Sequence, residues 1–322
     1  MTTPLRVAAP NPIFSRDAQL RAELFAAHPD ACVRDDPAAT SYMTEDDFIA
    51  FLQATRAEAV IVGLEPMTER VLTAVPSLRV VSKFGAGCDT VDFDALQRHG
   101  VRFGYTAGVN KIDVAELAIC FMIAGLRHVI PMNVALRSGA RPRPETGRRL
   151  NKRVVGIHGC GNIGKELVRL LQPFGCELLV HDIVDYADFY AQYGVTAVSL
   201  DELLARSEIL TLHLPKTKQT LGLYDESKLA QLRPDCLLIN TCRGGIVNER
   251  ALKARLQSGA LYAACFDVFD PEPPQDQELI DLPNFLATPH MGASTDVSRT
   301  AMGRAAIRGL THNIELAPGQ FF

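Results

Sequence analysis

The chain has 322 residues, of which 47% are hydrophobic and 22% charged, with a formal net charge of −4. At roughly 100–200 residues per domain, this length suggests two domains with full cores. The mildly acidic balance lacks the basic footprint of a nucleic-acid binder, and the most apolar stretch, Leu117 to Leu126, falls short of the roughly 20 residues that cross a bilayer.

Met1–Pro10 has no basic segment followed by an apolar run, so no secretory signal is expected. The eight cysteines are scattered without a CxxC pair. They read as small buried hydrophobes in a reducing cytoplasm. His158 and Cys160 have no nearby second ligand pair, so no metal site is expected. In chain order, Leu5–Ala9, Ala59–Gly63 and Leu78–Lys83 read as strands. Ser15–His28, Thr44–Thr55 and Thr68–Val75 read as helices, with Thr44 and Asp47 in a capping arrangement. A long helix follows, about Val114–Val129, with Asp113 as its N-cap. It is apolar on nearly every face, which calls for burial all round, in a core or partly at a subunit interface. Ser138–Asn151 reads as loop. Its basic cluster, Arg141, Arg143, Arg148 and Arg149, is broken by Pro142 and Pro144 and suggests a linker or a subunit contact.

A second alternating region begins at Arg153. Strands are expected at Arg153–His158, Cys176–His181, Ile209–His213, Cys236–Asn240, Leu261–Phe266 and Asn284–Ala287, with helices between most of them. Such alternation argues for α/β architecture with parallel sheets. The strand Arg153–His158 runs directly into Gly159-Cys-Gly161-Asn-Ile-Gly164 and a helical pattern, the context a dinucleotide fingerprint requires. Gly159 permits the tight turn, Gly161 lets the backbone approach a pyrophosphate, and Gly164 allows close helix packing. The helix start then offers free N–H groups to the phosphates. Asp182 ends the next strand at about the 20-residue spacing of a ribose-binding acid. A carboxylate there accepts from both ribose hydroxyls and repels a 2′-phosphate, so NAD is expected over NADP.

Three more strands end in polar groups: Asn240 leads to Arg243, Phe266 to Asp267 and Glu272, and Thr288-Pro289 to His290. Ligands of open α/β sheets bind beyond the carboxyl ends of strands. Alcohol oxidation needs a base for the hydroxyl proton, and histidine titrates near working pH. A carboxylate on its far nitrogen favours the protonated form, and an arginine holds a carboxylate bidentately. His213 reads as a packing residue near the coenzyme, and His158 and His181 as structural.

At these residues the sequence resembles the D-isomer-specific 2-hydroxyacid dehydrogenases, including the D-3-phosphoglycerate dehydrogenases. The matching stretches also include Val81-Ser-Lys-Phe-Gly-Ala-Gly-Cys-Asp89, Asn110-Lys-Ile-Asp-Val-Ala-Glu116 and Leu212-His-Leu-Pro215. The resemblance implies two doubly wound parallel-sheet domains. An NAD-binding Rossmann domain, 106–291, would be inserted in a flavodoxin-like catalytic domain, 1–105 plus 292–322. It implies that Arg243 binds the substrate carboxylate and keto oxygen, and that His290 is the acid/base with Glu272 as its partner. Asp267 would touch the nicotinamide carboxamide. Asn162, Ile163, Pro215, Thr241, Cys242 and Gly292 would add coenzyme contacts. The amides of Gly85, Ala86 and Gly87 would hold the substrate carboxylate, with Lys83 supplying a positive charge. Family members usually pair as homodimers through the coenzyme domain, which fits the long apolar helix.

Some positions depart from the family pattern. Cys242 stands where alanine or serine is usual, and Asn248 where aspartate is common. Gly63 stands where phosphoglycerate enzymes tend to carry an arginine for the phosphate. The implied activity is therefore hydride transfer between NAD(H) and a small 2-hydroxy or 2-keto acid. The acids open to it are 3-phosphoglycerate, glycerate/hydroxypyruvate, glyoxylate and lactate-like acids. The length leaves no room for the C-terminal regulatory domain of some phosphoglycerate enzymes, so no serine feedback is expected. Phosphite or formate oxidation is an alternative, though Ala86 replaces the lysine of phosphite enzymes. An NAD-sensing module of the corepressor type is another.

Overall fold

The computed structural model describes residues 5–36, 43–140 and 147–317. The chain forms two compact units, one of Met1–Asn110 with Thr295–Phe322, the other of Lys111–Ser294.

The first unit is built on five strands: β1 (Val7–Ala9), β2 (Cys32–Val33), β3 (Ala59–Val62), β4 (Val80–Lys83) and β5 (Arg102–Gly104). They lie parallel in the order β2-β1-β3-β4-β5, the flavodoxin-like winding. Alternation along the strands divides the apolar side chains between two faces. Val7, Ala9, Ala59, Ile61 and Val80 pack on one side with Phe14, Leu20 and Leu24. Ala8, Val60, Val62 and Val81 pack on the other with Phe48, Leu52 and Phe103. Both faces are covered, as a parallel sheet demands.

Thr44 caps the helix Glu45–Ala54 by accepting from the Asp47 amide at 3.2 Å. The helix expected over Ser15–His28 is instead two: Ile13–Arg16, then Ala18–Ala27. Asp17 makes the break, because its carboxylate accepts from the Leu20 amide at 2.9 Å and caps a new start. The chain returns to this unit through the helix Asp296–Gly309. Ser82 donates to the Ala306 carbonyl at 2.6 Å, and Gly104 meets Gly309 so closely that a side chain on Gly104 would collide with the Gly309 carbonyl.

The second unit holds β6 (Val154–His158), β7 (Glu177–His181), β8 (Thr196–Ala197), β9 (Ile209–Leu212), β10 (Leu237–Asn240), β11 (Ala263–Phe266) and β12 (Phe285–Ala287). All are parallel, in the order β12-β11-β10-β9-β6-β7-β8. The winding reverses between β6 and β9, and such a switch point is where a doubly wound sheet takes its ligand.

The long helix runs Lys111–Leu126, three residues ahead of the expected start, so Asp113 sits in its first turn and is not a cap. Nor is it buried all round: Val114, Ala118, Phe121 and Met122 face the core, while Ile112, Cys120 and Ile123 are exposed. After His128, in the left-handed region at φ 53°, a second helix, Val129–Arg137, leaves at a bend of 64° with no buried residue. Among the described residues no single helix is long and apolar enough to cross a membrane. Arg141 and Arg143 of the basic cluster lie outside the described residues. Arg148 stacks 4.0 Å over the Tyr262 ring and donates to the Asp235 carbonyl at 2.6 Å, so its contacts lie inside its own unit.

Candidate coenzyme and active site

The turn after β6 has the steric signature that separates a coenzyme turn from an ordinary glycine loop. Gly159 has φ +97°, and a Cβ there would lie 2.5 Å from the His213 carbonyl oxygen. A Cβ on Gly164 would collide with the Gly159 carbonyl. Gly161, by contrast, faces open space, with nothing within 4 Å of its missing Cβ. Two glycines are thus required for packing and the third leaves room where a pyrophosphate would approach. The helix Asn162–Leu171 begins with Gly161 as N-cap and no side-chain cap, so its first N–H groups remain for a ligand. Asn162 is exposed at its first position, and Ile163 packs back on the core.

Asp182 follows β7 directly. One of its carboxylate oxygens accepts from the Cys160 amide inside the glycine turn, and the other from the Val184 amide at 2.9 Å. Each oxygen keeps acceptor capacity for a ribose hydroxyl. Two of the three histidines around this turn, His158 and His213, are uncharged supports. Burial, and next the charge of His181, pushes His158 down to about 4, and its Nδ1 lies 2.6 Å from the buried Tyr224 hydroxyl. Burial takes His213 to about 3. His181 bonds through Nδ1 to the Val198 carbonyl at 3.0 Å.

The carboxyl ends of β10, β11 and β12 bring the remaining polar groups together. After β10, Asn240 shapes the turn: its Oδ1 accepts from the Cys242 amide at 3.1 Å and the Cys242 thiol at 3.0 Å, and its Nδ2 donates to the Arg243 carbonyl at 3.0 Å. Burial pushes the Cys242 thiol up, so it is a packed, inert group. Thr241 is buried, and its hydroxyl has no partner among the described residues. Gly244 next to Arg243 is obligatory, because any Cβ would collide with the Phe269 carbonyl on the loop that carries Glu272. Pro215 is exposed just beyond β9.

His290 and Glu272 form the central pair, Nδ1 to Oε2 at 2.8 Å. The other Glu272 oxygen accepts from the Phe269 amide at 3.0 Å. Although burial alone would raise Glu272, the His290 hydrogen bond and the Phe269 amide carry it below the ordinary range. That same hydrogen bond raises His290 above its ordinary value, against burial and the nearby Arg243 charge. Both side chains stay part-exposed, 43% and 36%, so the pair acts on protonation more than on stability. Among the described residues Nε2 of His290 has no partner.

Asp267, 1% exposed, ties down the segment that carries His290. Its Oδ1 accepts from the Thr288 hydroxyl at 2.5 Å and the Met291 amide at 2.8 Å, and its Oδ2 from the Gly292 amide at 2.8 Å. Its carbonyl accepts from the His290 amide at 2.8 Å. His290 itself is held at φ 51°, a strained value for a residue with a side chain. Thr288 and Asn240 lie in the segments that end β12 and β10, where neither residue type by itself signals the hydrogen bonds it makes; Tyr224 carries no signal beyond its own hydroxyl.

Lys83 and Gly85–Gly87 belong to the first unit. The amides of Gly85, Ala86 and Gly87 donate to no described residue, while the Ala86 carbonyl accepts from Tyr105 at 2.9 Å. Gly85 sits at φ +102°. Lys83 differs from the expectation of a charge offered to substrate: it is 3% exposed and its ammonium donates to the Gly63 carbonyl.

Comparison with known proteins bears on the fold and the family. The D-3-phosphoglycerate dehydrogenase of Rattus norvegicus is 36% identical over 264 residues, covering 81% of this chain and 49% of that protein. That of Bacillus subtilis is 33% identical over 264 residues, covering 79% and 50%. The chain therefore spans about half the length of these curated relatives. The holo form of Rhodotorula graminis D-mandelate dehydrogenase matches with a TM-score of 0.83 at 26% identity, over 95% of this chain and 93% of that one. The family described as D-isomer specific 2-hydroxyacid dehydrogenase, NAD binding domain, matches residues 119–292. That match covers more than half of the chain, and the chain belongs to the D-isomer specific 2-hydroxyacid dehydrogenases.

Proposed function

We propose that this protein transfers hydride between NAD(H) and a small D-2-hydroxy acid/2-keto acid pair. The observation that carries the reading is the His290–Glu272 hydrogen bond beside Arg243, on the same sheet edge as the glycine turn. The bound coenzyme supplies the hydride. In reduction, Arg243 polarises the keto oxygen and holds the carboxylate; the amides of Gly85, Ala86 and Gly87 are the donors that the family resemblance assigns to a substrate carboxylate. His290 delivers a proton from Nε2 to the forming alkoxide, and Glu272 keeps the ring protonated until then. In oxidation His290 takes the proton back. Loss of NADH absorbance against a panel of 2-keto acids tests this. Turnover of one acid supports it; NADH binding without turnover of any overturns it.

Asp182 supports NAD over NADP, because a 2′-phosphate would face a carboxylate. Like-charge juxtaposition costs several kcal/mol, so kcat/KM with NADPH is expected to fall on the order of 10²-fold below that with NADH. Equal or better efficiency with NADPH would remove Asp182 from the role.

A homodimer through the coenzyme-binding unit belongs to the same proposal. Val129, Ile130, Val134 and Leu136 stand exposed on the helix Val129–Arg137, and Ile112 and Ile123 are exposed on the helix before it. An apolar surface of this kind calls for a cover. Light scattering is expected to give twice the chain mass, and Val134→Asp with Leu136→Asp the single chain mass. A monomer in the unmutated protein would refute it. A cytoplasmic location, tested by cell fractionation, rests on the eight free cysteines.

A further inference from the structure

At the carboxyl edge of the five-stranded sheet one residue, Gly63, is held at both its amide and its carbonyl by buried ionisable groups. Val62 of β3 pairs with Lys83 of β4, so Gly63 leaves its strand beside Lys83. The Lys83 ammonium donates to the Gly63 carbonyl. Glu65, 0% exposed, accepts from the Gly63 amide through Oε2 at 2.6 Å. Both hydrogen-bonding groups of Gly63 thus end on ionisable side chains that are themselves enclosed. The Glu65 carboxyl is raised by burial, opposed by backbone amides and by the charges of Lys83 and Arg34. Its Oε1 has no partner among the described residues.

Such an arrangement is costly for packing alone. Apolar side chains of the same volume are often as stable as buried charged groups or more so, and here the two ionisable groups fix the Gly63 backbone. The geometry at stake lies one step along the chain. The Phe84 amide donates to the Val62 carbonyl at 2.8 Å, and the next three residues are Gly85, Ala86 and Gly87, whose amides donate to no described residue. Gly85 sits at a positive φ with little conformational restraint of its own.

We propose that Glu65 and Lys83 are positioning residues, which grip the Gly63 backbone and thereby set where the Gly85–Gly87 amides meet the substrate carboxylate. This rests on the dehydrogenase reading above. Lys83 then acts through Gly63 and does not touch the substrate.

The test uses the full chain, with Lys83→Met, Glu65→Leu and the double variant. Melting temperature, NADH affinity, and kcat and KM for the 2-keto acid turned over by the unmutated protein are measured. Each single variant leaves one buried charge unbalanced and is expected to lower the melting temperature by roughly 10 °C. The double variant is expected to recover most of that loss. Its KM for the keto acid is nevertheless expected to rise on the order of 10–10²-fold, as for a misplaced binding group, with kcat and NADH affinity close to those of the unmutated protein. A stable double variant with unchanged KM would show the clamp to be structural only and overturn the proposal. So would a Lys83→Met variant of normal stability with raised KM beside a Glu65→Leu variant of normal KM, since the ammonium would then act on substrate directly. Failure of the dehydrogenase reading is seen separately, as absence of keto-acid turnover in the unmutated chain.

Discussion

Replacing His290 with alanine is expected to lower kcat for keto-acid reduction by about 10²–10⁴-fold, the usual share of general acid–base catalysis, while NADH still binds. Among the described residues the ring combines a nitrogen without a partner, a carboxylate that sets its protonation, and a pKa moved toward its task. The Glu272 hydrogen bond raises it, so the protonated form that reduction needs persists to higher pH. The reduction rate should be full below the His290 pKa and fall as pH rises through it; the oxidation rate should do the opposite. Glu272→Gln removes the carboxylate, so both inflections should move to lower pH. Profiles of kcat/KM in both directions check this. Near-normal turnover by His290→Ala would take His290 out of the reaction, and an unmoved inflection in Glu272→Gln would dissolve the pairing.

The parts of this protein legible from sequence are those written in local chemistry. The run Val154–His158 into three spaced glycines specifies strand, turn and helix at once, and the three glycines behave sterically as their spacing implies. Arg243, Glu272 and His290 could be placed together because each follows an apolar strand of one parallel sheet. The strands β2, β5 and β8 have two or three residues each and carry no periodicity to read. Asp17 interrupts an otherwise helical pattern, and only the hydrogen bond to the Leu20 amide reveals it as a cap. The helix Lys111–Leu126 is apolar on most faces, so its pattern could not say which stripe stays outside. Lys83 illustrates the larger limit. A lysine in a substrate loop reads as an offered charge, and whether it faces ligand or its own backbone depends on a peptide twenty residues earlier.

Asp267→Ala is expected to cost almost as much activity as losing His290, although Asp267 need not touch the reacting atoms. Its carboxylate is the acceptor for the Thr288 hydroxyl and the Met291 and Gly292 amides. Leaving a buried donor unmet costs roughly 1–3 kcal/mol each, and His290 between them already sits at φ 51°, a conformation that persists only where its surroundings enforce it. Without the carboxylate the segment 288–292 should relax and take the ring away from Glu272. A fall in kcat on the order of 10²-fold is expected, with a lower melting temperature. Asp267→Asn should be intermediate, since its amide nitrogen faces donors but its oxygen still accepts. The kinetic pattern separates this role from the coenzyme contact that the family resemblance implies. A residue that serves chiefly the nicotinamide would raise KM for NADH and leave the pH profile where it was. A residue that fastens the His290 segment would lower kcat and shift the His290 inflection toward that of Glu272→Gln, with KM for NADH little changed. Four hydrogen bonds converge on Asp267 from that one segment, counting the His290 amide on its carbonyl, and the second pattern is the one they predict.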